Sequence, residues 1–174
     1  MSAFPARHLR TPAFLLLIAV SVLQTWSGLL IAESSSPAPI ETEFVYEAIV
    51  EIEAPVEVGK TPLGQRRFIP ITGGTFEGPK LKGDVIPGGA DWQLSHPNGA
   101  TEVDALYAIR MDDGTVVIVR NTGLISEQGG YMKTALRFEA PEGPHEWLNK
   151  YQFVSSIAGG PRPGTVIIRV FRVL

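Results

Sequence analysis

Residues Phe44–Ala54, FVYEAIVEIEA, decide the fold class. Phe44, Tyr46, Ala48, Val50 and Ile52 fall on one side of a period of two. Glu47, Glu51 and Glu53 fall on the other, and Val45 and Ile49 interrupt the polar side. A helix would need apolar residues every three or four positions, whereas alternation over this length marks a half-buried β-strand.

Working outward, similar segments recur at Arg67–Ile71, Thr75–Ile86, Ala90–Ser95, Thr101–Met111, Thr115–Leu124, Tyr131–Ala140, Tyr151–Ala158 and Thr165–Leu174. Turn signals separate them: TPLG, IPGG, HPNG, DDG, EQGG, PEGP and GGPRPG. DDG at Asp112–Gly114, between two apolar runs, is the strongest hairpin signal, because glycine takes the positive φ a tight turn needs. Only Pro144–Lys150, PHEWLNK, reads as a helical turn. About eight strands with almost no helix imply an all-β domain, and short connections favour a closed antiparallel barrel over a sandwich, since closure removes exposed edges. The barrel is expected to follow an N-terminal apolar leader helix.

The glycines of Pro70–Leu94, PITGGTFEGPKLKGDVIPGGADWQL, invite comparison with a phosphate-binding loop. Such loops lie between a strand and a helix whose N-terminus faces the anion. Here another strand follows, so the glycines of TGGTFEGP read as a turn and a bulge that bend one long strand around the barrel.

The first 32 residues form a basic start (Arg7, His8, Arg10), an apolar run (Ala13–Leu23) and small or weakly polar residues ending at Ala32. That order describes a secretory signal peptide cut near Glu33. The alternative is an uncleaved anchor over residues 13–32, long enough to cross a bilayer but weakened by Gln24, Thr25, Ser27 and Gly28. Residues 33–42, including SSSPAP, form a flexible linker, and residues 43–174 form the barrel domain. The expected location is the periplasm or the exterior; an inner-membrane anchor is the alternative. The sequence has no cysteine, so no disulfide supports the fold and no lipid attaches through an N-terminal cysteine. Without the leader, thirteen basic residues face eighteen acidic ones. Arg66–Arg67 is then the nearest approach to a basic patch, which argues against nucleic acid and against an anionic membrane surface. Any membrane association would run through an uncleaved leader.

IPITGGTFEGPKLKGDVIPGGADWQL, DALYAIRMDDGTVVIVRNTG, YMKTALRFE and WLN, in this order and spacing, resemble the successive signatures of the domain-of-unknown-function 3237 family of small bacterial proteins. The resemblance spans Phe44 to Leu174 and implies a compact β-barrel of lipocalin-like or cyclase-like shape, with no generally assigned activity. Leu106 stands where the family pattern usually has arginine, and Lys133 stands where arginine is usual in an arginine–threonine pair. If those arginines hold an anion, this chain would hold it differently, because lysine lacks the bidentate fork.

No nucleophilic triad is visible, and no closely spaced histidine–carboxylate set points to a metal or cofactor. What remains is carboxylates beside aromatics. Asp91 and Glu139 are the candidate acid–base residues, and Trp92, Tyr107, Arg120 and Trp147 are the candidate ligand contacts. Each carboxylate has a plainer explanation as an outer-face residue, solvated or paired with Arg110, Arg120 or Arg137. The tryptophans have one as core, and Asn121 has one as a turn former. Alternation places Asp91, Gln93 and Ser95 on one face and Trp92 and Leu94 on the other. If the polar face points inward, burial raises the Asp91 pKa, which suits general acid–base work. The favoured function is binding of a small apolar or aromatic molecule inside the barrel. An enzyme of isomerisation, cyclisation or elimination, and a filled-core structural or homo-oligomerising module, are the alternatives.

Overall fold

The computed structural model describes residues 38–126 and 130–174. The expected leader helix, cleavage site and most of the expected linker lie outside the described residues. The strands are β1 (Thr42–Ile52), β2 (Val56–Thr61), β3 (Gly64–Glu77), β4 (Lys82–Ser95), β5 (Ala100–Met111), β6 (Val116–Ser126), β7 (Tyr131–Glu139), β8 (Phe153–Gly159) and β9 (Thr165–Val173). A 3₁₀ turn, η1 (Glu146–Lys150), lies between β7 and β8. Each of β3 to β9 pairs antiparallel with the next, β9 pairs with β1, and β1 pairs with β3. Eight strands thus close an antiparallel barrel, and β2 is an outlying hairpin arm on the first half of β3.

The segmentation expected around Pro70–Leu94 needs correction. Three short strands are in fact two long ones, because the turn falls at Gly78–Leu81, where the Gly78 N–H donates to the Leu81 carbonyl. IPGG is not a turn. The β3–β4 register shifts between Ile71 and Thr75, and the β4–β5 register shifts between Ile86 and Ala90. TGG and PGG therefore bend strands that continue through them, as glycine in a strand often does. HPNG and DDG do connect hairpins, β4–β5 and β5–β6. Strand β2 was absent from the expected set, since VEVGKT breaks its alternation at Gly59, where the β2–β3 register also shifts.

The seam between β1 and β3 closes the ring and explains two of the glycines. Val50 stands opposite Gly74, and a Cβ on Gly74 would lie 2.2 Å from the Ile49 carbonyl oxygen. A Cβ on Gly78 would lie 2.0 Å from that of Val45. Any side chain at either position would collide with the backbone of β1.

Inside, the two ends of the barrel differ. Tyr46, Phe76, Phe138 and Phe153 pack together at one end, with the Phe138 and Phe153 rings edge to face at 4.8 Å. Buried Leu148 of η1 packs into this cluster. Asn149 holds η1 to the sheet by accepting from the Ala140 N–H and donating to its carbonyl, both at 2.8 Å. Towards the other end the inward residues become polar: Arg67, Asp91, Gln93, Asn121, Thr134 and Ser155. That is the end reached by the starts of β3 and β7 and by the ends of β4 and β6.

Candidate ligand cavity

A cavity of about 350 Å³ opens at the polar end. Val50, Ile52, Ile69, Ile71, Ile157 and Ile168 are among its apolar walls, and Arg67, Asp91, Gln93, Tyr107 and Asn121 are its polar members. Ligand sites of this size commonly combine apolar walls with a few placed polar groups.

Strand registers order these side chains. Ile69, Asp91, Ala105, Asn121 and Leu136 lie opposite one another across β3 to β7 and form one layer. One layer nearer the packed end, Ile71 pairs with Gly89, while Tyr107 pairs with Val119 and Val119 with Phe138. A Cβ on Gly89 would lie 2.5 Å from the Tyr107 Cβ, so the glycine makes room for the tyrosine. One layer nearer the mouth, Arg67 pairs with Gln93, and Gly123 lies opposite both Val103 and Thr134.

Asp91 is the chemical centre. Trp92 and Gln93 make no ladder pair with β5, and the Asp91 Oδ1 accepts from the Asp104 N–H there at 3.0 Å. Its Oδ2 accepts from Gln93 Nε2 at 2.6 Å, and Gln93 Oε1 accepts from Arg67 Nε at 2.8 Å. Arg67, Gln93 and Asp91 thus form a hydrogen-bonded chain along the cavity wall. Burial pushes the Asp91 carboxyl above its ordinary value, against the opposing pull of Gln93, the Asp104 N–H and Arg67. Burial also raises the Tyr107 hydroxyl, which stays protonated. Asn121 is 2% exposed, and its Oδ1 has no hydrogen-bond partner among the described residues.

Of the six residues singled out in the sequence, only Asp91 and Tyr107 line this cavity. Trp92 is 47% exposed on the outer face and stacks on Phe68 at 4.7 Å, as alternation requires once Asp91 points in. Arg120 is also outside, holding Asp104 through two hydrogen bonds of 2.9 and 2.7 Å. Glu139 is exposed on the outward side of β7, which alternates with buried Leu136 and Phe138. Trp147 packs against Phe153 at the closed end. These four therefore do not share a pocket with Asp91.

Three polar residues missing from the expected set do line the cavity: Arg67, Gln93 and Asn121. Gln93 was legible through its two-residue spacing from Asp91. Asn121 is not a turn former but a mid-strand residue of β6, two positions from buried Val119 on the same face. Leu106 is 49% exposed and Lys133 also faces outward, so neither departure from the family pattern touches the cavity.

A closed eight-stranded antiparallel barrel, filled at one end and carrying a polar-lined cavity at the other, defines this protein structurally. The chain belongs to the family described as protein of unknown function (DUF3237), whose model matches residues 40–173. A UPF0311 protein of Rhodopseudomonas palustris is 34% identical over 151 residues, covering 78% of this chain and 97% of that protein. The crystal structure of a β-barrel-like protein from Acinetobacter baumannii superposes with a TM-score of 0.72 at 32% identity, covering 80% of this chain and 99% of that one. A hydroalkoxylation enzyme of Penicillium herquei is 26% identical over 118 residues, 68% of this chain and 74% of that protein.

Proposed function

We propose that the barrel binds one small, largely apolar molecule in the cavity, with its polar end against Asp91, Gln93 and Asn121. The observation that carries this reading is a cavity whose middle layer sets buried polar groups among aliphatic walls. A filled core would have no use for an aspartate and an unpartnered asparagine, each of which costs stability when buried. The cavity also weighs against the filled-core module. The neutral fluorophore N-phenyl-1-naphthylamine tests the reading. One equivalent should bind the full chain with a blue-shifted emission. Val103→Phe, which adds bulk to the cavity wall, should abolish binding, whereas Trp92→Ala on the outer face should leave it unchanged. Absence of binding, or binding indifferent to Val103→Phe, would refute it.

A second reading, catalysis, draws on Asp91 and on the Penicillium herquei relative. Hydroalkoxylation adds an O–H across a carbon–carbon double bond with no other reactant. It needs only a proton delivered to carbon and one removed from oxygen, and a carboxyl can perform both in turn. A carboxyl that burial biases towards its protonated form can make that delivery. The assay is conversion of phenols carrying an alkenyl side chain into cyclic ethers of unchanged mass, with the Asp91→Asn chain as the blank. Equal conversion by both chains would remove Asp91 from the chemistry.

Export completes the proposal, on the order of basic, apolar and small residues in the leader. Intact mass of the chain from the cell envelope should begin at or near Glu33. A full-length chain that stays with the membrane after an alkaline wash would establish the anchor instead.

A further inference from the structure

The middle layer of the cavity contains a notch. Asp91 on β4 stands opposite Ala105 on β5, and Ala105 stands opposite Asn121 on β6. Adjacent strands are about 4.8 Å apart, so the Asp91 and Asn121 backbones are roughly 10 Å apart with a single methyl between them. Layers on either side carry larger side chains from the same strand, Val103 and Tyr107. The notch is therefore flanked by a carboxyl and an amide, and Ala105 is its floor.

The two flanking groups are not in the same condition. Both Asp91 oxygens already accept a hydrogen bond from the protein, Oδ1 from Asp104 and Oδ2 from Gln93. Asn121 is almost fully buried, yet its Oδ1 accepts none from the described residues. A buried acceptor without a donor is a standing cost, and a donor brought by a ligand removes it.

We propose that the notch over Ala105 receives the hydroxyl group of a neutral, otherwise apolar molecule, whose O–H donates to Asn121 Oδ1 while its oxygen faces Asp91. This rests on the reading of the cavity as a binding site and names the ligand class for it. A hydroxyl is selected over the other common oxygen groups by its proton. A ketone has none to give Asn121, and neither has a carboxylate, which would also leave its charge among the apolar walls of the cavity. An ammonium group would meet the guanidinium of Arg67, which is linked through Gln93 to the same carboxylate. Burial pushes the Asp91 carboxyl above its ordinary value, and when protonated that carboxyl has a hydrogen for the ligand oxygen to accept.

The test is a matched pair of probes, 2-naphthol and naphthalene, titrated calorimetrically into the full chain. Both should bind one to one, with 2-naphthol tighter by about tenfold, the effect of one hydrogen bond to a buried group otherwise without a partner. Asn121→Leu should erase the preference, so that 2-naphthol and naphthalene bind with equal affinity. Ala105→Val, which raises the floor of the notch and leaves both flanking groups in place, should do the same. Having two variants keeps the test decisive if one fails to fold, and melting curves identify such a failure. Equal affinities in the natural chain overturn the proposal, as does a preference that survives both substitutions. If N-phenyl-1-naphthylamine binds and the naphthol preference is absent, the ligand class is wrong and the binding site stands. If none of the three probes binds, the binding site itself falls.

Discussion

Gly74→Ala should destabilise the barrel by about 3–5 kcal/mol, combining backbone strain with a collision that the seam cannot relieve. Gly74 has φ of 132°, a conformation that side-chain-bearing residues rarely adopt, and the added methyl would lie 2.2 Å from the Ile49 carbonyl oxygen. The obstacle is backbone, so no rotamer change removes it. Relief requires β1 and β3 to separate where Val50 faces Gly74, and that separation opens the ring. Chemical denaturation reads the loss as a lower midpoint, and hydrogen exchange should show the extra opening concentrated in β1 and β3. Gly88→Ala is the control, because a Cβ there meets nothing within 4 Å although φ is also positive, at 110°. A Gly74→Ala midpoint equal to that of Gly88→Ala would show that the seam tolerates the methyl.

The same seam shows why closure was legible and strand boundaries were not. Alternation in segments such as Thr115–Leu124 records which side chains face the core, and a succession of such segments joined by short turns favours a closed ring. A glycine pair reads alike in a turn, in a bulge and at a close contact between strands. Near Pro70–Leu94 all three occur: Gly78 begins the β3–β4 turn, Gly88 and Gly89 lie in the β4 bulge, and Gly74 sits at the seam. Only tertiary contacts separate those roles. The β2 arm was missed because its residues are largely exposed, and a strand outside the barrel carries no core-facing stripe.

The site was legible where alternation fixed the facing of a residue. Asp91 and Gln93 share a parity, so once one points inward the other does too, and Trp92 must point out. The same parity argument, applied to β7, sends Glu139 outward with Lys133 and Arg137. Pairing carboxylates with neighbouring aromatics failed because residues adjacent in a strand face opposite sides of the sheet. Asn121 was hidden by its local sequence, since Asn-Thr-Gly suits a turn. Its inward facing follows only from continuing the Val117–Val119 alternation one step further. Arg67 could not be separated from Arg66 without knowing which of the pair faces the barrel interior.

Asp91→Asn should change two measurements in a way that a structural aspartate would not. The first is the pH dependence of stability. Burial raises the Asp91 pKa in the folded chain, so the native state holds this proton where the unfolded state has released it. Its contribution to stability is therefore fully present below the unfolded carboxyl value, about 4, and is lost as pH rises through the higher folded value. Asparagine cannot ionise, so the melting temperature of the variant relative to the natural chain should climb as pH rises from about 3 to 8. The comparison uses the trend because asparagine also disturbs the Gln93 hydrogen bond, an offset that is nearly the same at every pH. The charged groups that set the window are Arg67, which favours the ionised form, and Asp104, which opposes it and is itself held by Arg120. The second measurement is turnover of alkenyl phenols, which should fall by about 10²-fold or more in the variant if Asp91 moves the proton. Binding of N-phenyl-1-naphthylamine should be nearly kept, since asparagine is nearly the size of aspartate and the apolar walls are unchanged. A melting-temperature difference that stays flat across this range would mean that Asp91 ionises as freely in the barrel as in water, and the carboxyl would lose the property that fits it for acid–base work.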